Sequence, residues 1–155
     1  MKNPDLKITK RHLPHFQLED SVYFVTFRAL KHNLSKSDQK IIYDHILLGD
    51  RKYYSLIAFV IIPNHVHLLL QSDFGFDIST IMKGIKGVSA KKINQNNSTS
   101  GSIWLNESFD RIIRNDSELF EKLKYMLDNP VKWNLITNGW DYEGWYFNEM
   151  YSFPV

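Results

Sequence analysis

A chain of 155 residues with 43% hydrophobic and 14% aromatic side chains has enough apolar material for one core and too little length for two full domains. It contains no cysteine, which excludes a disulfide framework, a thiolate zinc site and a cysteine nucleophile, and fits a reducing compartment, with the cytoplasm the expected one. Nineteen basic against seventeen acidic residues leave a net charge of +2, too small to announce a nucleic-acid partner, and neither a membrane span nor the apolar centre of a signal peptide can be found, so a protein without a membrane partner is expected.

Val22 to Arg28 (VYFVTFR) is rich in β-branched and aromatic residues and predicts a buried strand, entered through a basic, proline-containing lead from Lys7 to His15. Ser35 and Asp38 form a capping box ahead of Ile41, Ile42, Ile46 and Leu48, and Gly49 supplies a stop, so a helix follows. Tyr53 to Ile62 and His65 to Gln71 are two runs of strand formers joined by Pro63-Asn64, which predicts an antiparallel hairpin. Asp77 caps a second helix with Ile78, Ile81, Met82, Ile85 and Val88 on one face, weakened by Gly84 and Gly87.

Asn94 to Ser102 (NQNNSTSGS) reads as a polar surface loop, and Ile103 to Arg114 as a further strand. Asp116 opens a third helix that carries Leu119, Phe120, Leu123, Met126 and Leu127 on one stripe and is closed by Pro130. The tail from Trp140 to Phe153 either adds an edge strand or packs over the core. This order predicts an α+β class with a ferredoxin-like antiparallel sheet of four to five strands, its helices covering one face.

Between Ile78 and Ser102 there are four lysines, Lys83, Lys86, Lys91 and Lys92, and no acid, whereas three acids and no Lys or Arg follow Lys132. Taken alone, such a cluster reads more readily as a solvated helix face than as a phosphate-binding surface.

In the strand His65-Val66-His67-Leu68-Leu69-Leu70 the alternation of side chains puts both imidazoles on one face and Val66, Leu68 and Leu70 on the other. Two neutral imidazoles side by side suit a divalent metal. On spacing alone, however, a hydrogen-bonded pair on a partly wet sheet face outranks that reading, and two ligands leave an ion short of a third. On the third helix, Tyr125 and Asn129 share a face with Glu118 and Lys122. At about 100° per residue, Tyr125 falls almost opposite the centre of the Leu119-Leu123-Met126 stripe. A phenol with an unperturbed pKa of about 10 is a poor nucleophile at neutral pH, so catalysis by Tyr125 would require a metal, base or cation nearby.

These residues together resemble the REP-associated tyrosine transposases, the single-tyrosine branch of the nucleases named for a His-hydrophobic-His motif, here His65-Val66-His67. The resemblance runs from Arg11-His12-Leu13-Pro14-His15 and Tyr23-Phe24-Val25-Thr26-Phe27-Arg28 through Ile62-Pro63-Asn64-His65-Val66-His67-Leu68. It continues with Trp104, Glu107-Ser108-Phe109-Asp110, Ile113-Arg114, Tyr125-Met126 and Asn129-Pro130-Val131-Lys132. It implies that residues 1–155 are one HUH tyrosine transposase domain. It implies a divalent ion, Mg²⁺ or Mn²⁺, held by His65, His67 and Asn129, and attack by Tyr125 on a DNA phosphate to give a covalent 5′-phosphotyrosine. The implied partner is single-stranded DNA near a hairpin, with Arg11, Lys83, Lys86, Lys91 and Lys92 as candidate DNA contacts.

The resemblance also allows a homodimer in which the histidines of one chain face the tyrosine of the other. Trp133-Asn134 departs from the family pattern, which more usually has Ala-Gly there. The alternative from another class is a domesticated protein that binds hairpin DNA or RNA without cutting it.

Overall fold

The hairpin predicted around Pro63-Asn64 lies at the centre of the sheet in the computed structural model, which describes residues 20–30 and 33–151. Arg11 and the basic lead around it lie outside the described residues. The elements follow in the order β1 (Val22–Ala29), α1 (Lys36–Gly49), β2 (Ser55–Ile62), β3 (His65–Gln71), α2 (Ile78–Asn97), β4 (Trp104–Ile112), α3 (Asp116–Lys132) and β5 (Trp145–Phe147). They build one antiparallel sheet in the order β4-β1-β3-β2-β5, so the chain is α+β with a ferredoxin-like core to which the tail adds an edge strand.

Apolar residues at successive positions of β1, β2 and β3 make both faces of the sheet in need of cover. Val25, Phe27, Phe59, Ile61, Val66, Leu68 and Leu70 pack with Ile42, Ile46, Ile81 and Ile85 of α1 and α2. Phe24, Val60, Ile62 and Leu69 pack on the other side with Leu119, Leu123 and Met126 of α3 and with Tyr142 and Trp145. The helices therefore do not share one face as the element order suggested. Two of them occupy one side, and the third with the tail closes the other.

Ser35 caps α1 with the predicted reciprocal box to Asp38, and Asp77 caps α2 through Thr80 N–H. Leu48 and Val88, assigned to the apolar faces, are instead exposed. Two helix ends also differ from the sequence reading. The first four residues of the expected polar loop, Asn94 to Asn97, are the last turn of α2, because Asn97 Nδ2 donates to Asp38 Oδ1 (2.9 Å) and Asn96 Nδ2 to Ser37 Oγ (3.3 Å), fastening that turn to the start of α1. Pro130 does not close α3. The helix runs to Lys132, since Pro130 is buried in the last turn and Trp133 N–H still donates to Asn129 O (3.0 Å). Among the described residues no helix is long and apolar enough to cross a membrane.

The tail is docked on α3 by a backbone approach that only glycine permits. A Cβ on Gly139 would stand 2.0 Å from the Leu127 carbonyl oxygen, so the short 3₁₀ turn at Gly139–Asp141 can lie against the helix only without a side chain there. Gly139→Ala is expected to cost about 2–4 kcal/mol through overpacking against backbone, read as a lowered urea midpoint at unchanged slope.

Candidate active site

Pairing of β1 with β3 sets Thr26 opposite His67 and Arg28 opposite His65. Residues directly opposite in an antiparallel pair share a face, so these four side chains stand on the α3 side of the sheet. Both histidines are 3% exposed, with ring centroids 4.7 Å apart. His67 stacks on Phe24 at 5.5 Å, and the Tyr125 ring meets His67 edge-on at 5.3 Å. The imidazole pair and the phenol thus come together within a single chain.

Hydrogen bonds fix how the rings are presented. His65 Nδ1 lies 2.7 Å from Asn64 Oδ1, which can only accept, so Nδ1 carries the proton and Nε2 the lone pair. His67 Nδ1 lies 2.7 Å from Thr26 Oγ1, and donation to that oxygen leaves its Nε2 as an acceptor too. Holding one ring nitrogen so that the other can ligate is the usual outer-shell arrangement of metal-binding histidines. His67 Nε2 and Asn129 Oδ1 are both buried with no hydrogen-bond partner among the described residues. Burying two acceptors unsatisfied is unfavourable unless a cation or donor completes them.

The Asn129 amide, 2% exposed, lies near enough to His65 to bear on its pKa. The residues present therefore fit a divalent ion with two imidazole nitrogens and one amide oxygen as protein ligands. Among the described residues no group of three His, Cys, Asp or Glu could hold a metal ion, so a third protein ligand would have to be of another type, such as an amide oxygen.

The pair is uncharged at neutral pH. Burial is the main cause that pulls the His65 pKa down to about 4, with Arg28 adding to it and the nearby Asn129 amide opposing. Burial, then His65, Arg28 and Lys122, pull that of His67 to about 3. In the unfolded chain these groups bind protons near pH 6.5. Their contribution to stability is thus complete above that value, lost as pH falls toward 4 and 3, and unchanged below. His45, lowered mainly by burial, acts in the same direction. Urea denaturation with chelator present is expected to give a steep loss of stability between pH 7 and 4, and a shallower one in His65→Gln/His67→Gln.

Tyr125 lies on the flank of the buried stripe of α3 and not opposite it, since at about 100° per residue it stands roughly 130° from the stripe's centre. The stripe is Leu119, Leu123 and Met126 with Asn129 beside it, and the flank meets Phe24 of β1 and His67 of β3. There Tyr125 is 45% exposed, with Phe24 edge-on at 6.3 Å. Lys122, one turn earlier, holds its ammonium 4.9 Å above the Phe24 ring and bears electrostatically on His67. With Arg28 it makes the cationic frame of the site. Glu118, on the same helix face, is occupied by Arg111 at 2.6 Å.

The four lysines of α2 are placed elsewhere, since α2 covers the opposite face of the sheet. Lys86 is engaged there. Where β4 shifts register against β1 between Phe27 and Ala29, its ammonium donates to Leu105 O (2.7 Å), Asn106 O (3.1 Å) and Ser108 Oγ (3.0 Å), satisfying the bulge. Lys83 and Lys91 are exposed and Lys92 half-buried on that same far side. Among the described residues the cations at the histidines are Arg28 and Lys122, and sequence reading had put only Lys122 on the tyrosine's helix face. Thr26 and Arg28 alternate with apolar residues in VYFVTFR, which is the one signal that could have marked them, but their place beside the histidines depends on register.

A family model described as "Transposase IS200 like" matches residues 27–117. Comparison with curated proteins finds no match. Among solved structures, the chain is similar to a REP-associated tyrosine transposase bound to a REP hairpin, with TM-score 0.69 and 19% identity over 90% of this chain and 82% of that one. A crystal structure described as that of a transposase from Deinococcus radiodurans R1 aligns at TM-score 0.49 and 17% identity, over 83% of this chain and 97% of the other. At these identities the first likeness speaks for the fold.

Proposed function

The chain belongs to the IS200-like transposases, and on that premise we propose that residues 1–155 act as one HUH tyrosine transposase domain that cuts and rejoins single-stranded DNA near hairpins, with Tyr125 as nucleophile. The observation that carries this reading is the approach of Tyr125 to His67, at 5.3 Å between rings, beside a buried imidazole nitrogen and a buried amide oxygen that lack partners among the described residues. The similar fold of a protein bound to a REP hairpin supports hairpin DNA as the partner.

The neutral histidines and the Asn129 amide offer electron pairs, while Arg28 and Lys122 supply the fixed positive charge that a phosphodiester needs on entering a partly buried site. A divalent ion, Mg²⁺ or Mn²⁺, held by His65, His67 and Asn129 would supply Lewis-acid polarisation of the phosphate. Tyr125 lies at the rim of the pair, exposed on one side, where a strand can present a phosphate to its hydroxyl. Attack forms the Tyr125 Oη–phosphorus bond and breaks the phosphorus–O3′ bond. The phenol gives up its proton and the departing 3′ oxygen takes one up, leaving a 5′-phosphotyrosine and a free 3′-hydroxyl. The phosphoester bond is conserved in the link, so a 3′-hydroxyl can reverse the step without ATP.

Incubation with end-labelled, hairpin-bearing single-stranded DNA and Mn²⁺ tests the reading. A denaturant-resistant protein–DNA complex together with a shortened strand ending in 3′-hydroxyl is expected. A free 5′-phosphate without any complex would identify a hydrolase, and salt-dependent binding without cleavage would identify a binding protein; either overturns the proposal.

A further inference from the structure

Of the four tryptophans, Trp104 and Trp145 are buried and Trp140 is partly buried, whereas Trp133 is 47% exposed. Its placement is fixed by backbone. Trp133 caps α3, donating its N–H to Asn129 O, and the chain turns away at Asn134 with φ +58°. The indole is thereby held beside the imidazole pair, its centroid 5.6 Å from that of His65. About half of this large apolar ring is left in water at the edge of a polar, cationic site.

On the other flank, Phe109 of β4 stands opposite Thr26 and is 57% exposed. Phe109 and the histidines lie two strand spacings apart, about 10 Å across the sheet. The site is therefore bracketed by two exposed aromatic rings, with two cations between them.

We infer that Trp133 is a base-stacking platform for a nucleotide adjoining the phosphate at the histidine pair, with Phe109 its counterpart on the other side, so that the site engages unpaired bases and not backbone alone. This rests on the reading of the site as one for single-stranded DNA. The chemistry matches: every base has an apolar π-face, and aromatic rings alternating with cations accept a strand whose bases are unpaired, whereas a duplex keeps those faces stacked.

The test uses the full chain without divalent ions, with oligo(dT) and an abasic strand of equal length as probes. Oligo(dT) is expected to quench tryptophan emission in the unmodified protein. Trp133→Phe is expected to abolish that quenching while keeping the affinity within about twofold, because a phenyl ring still stacks. Trp133→Leu is expected to weaken oligo(dT) binding about tenfold and leave the abasic strand unaffected. Equal oligo(dT) binding by Trp133→Leu, or quenching that persists in Trp133→Phe, overturns the inference while the site remains a DNA site. Dissociation of a dimer by Trp133→Leu would show that the indole serves a second copy of the chain, and overturns it too. Binding of neither strand by the unmodified protein removes the reading of the site itself, and the inference with it.

Discussion

Tyr125→Phe is expected to abolish the covalent complex and to reduce strand cleavage by at least about a thousandfold, the scale seen when a covalent nucleophile is removed. The substitution deletes one oxygen. The phenyl ring retains its edge contacts with His67 and Phe24, and the phenol makes no hydrogen bond to another described residue, so stability is expected to change by less than about 0.5 kcal/mol. Affinity for the uncut strand is also retained, because Arg28, Lys122 and the neighbouring rings are untouched. Denaturing gels, urea melts and strand titrations on the same preparation separate these effects. Loss of activity together with loss of fold would be uninformative for most buried residues, but Tyr125, 45% exposed, is free of that ambiguity.

The second large effect concerns the imidazoles. His67→Ala removes a ring that stacks on Phe24, touches Tyr125 and binds Thr26, and cleavage is expected to fall by about a hundredfold or more, the cost of disturbing a metal ligand. A separate readout does not involve DNA. Mn²⁺ is expected to stabilise the unmodified protein, by about 2.7 kcal/mol at roughly a hundredfold excess over Kd, and to leave His67→Ala unmoved. The variant also removes a group that is buried uncharged, so its stability relative to the parent is expected to improve as pH is lowered from 7 toward 4. A DNA-free gain from Mn²⁺ that persists in His67→Ala would place the ion elsewhere.

Much of this arrangement was legible in the sequence because the signals are local. A period of two puts His65 and His67 on one face whatever the sheet around them, and the capping residues Ser35 and Asp77 mark helix starts through bonds spanning three residues. What was not legible depends on contacts between distant segments. Helical phase places Tyr125 on the flank of the Leu119-Leu123-Met126 stripe, but only the packing of α3 on the sheet brings that flank to His67. Arg28 and Thr26 become part of the site only through the β1–β3 register. Lys86 resembles a phosphate ligand in a lysine cluster until the β4 bulge supplies its carbonyls. Pro130 and Asn94 to Asn97 misled for a related reason: in a last turn a residue's helix-breaking preference is offset by how that turn packs, with Pro130 buried and Asn96 and Asn97 bonded to α1.

The most direct measurement is the mass of the peptide that carries the DNA. Trypsin releases residues 125–132, YMLDNPVK, with Tyr125 as its single tyrosine. After reaction with hairpin-bearing single-stranded DNA and nuclease trimming, this peptide is predicted to gain the mass of a 5′-linked nucleotide. A nucleotide found on any other peptide, or cleaved DNA with residues 125–132 unmodified, would contradict the account.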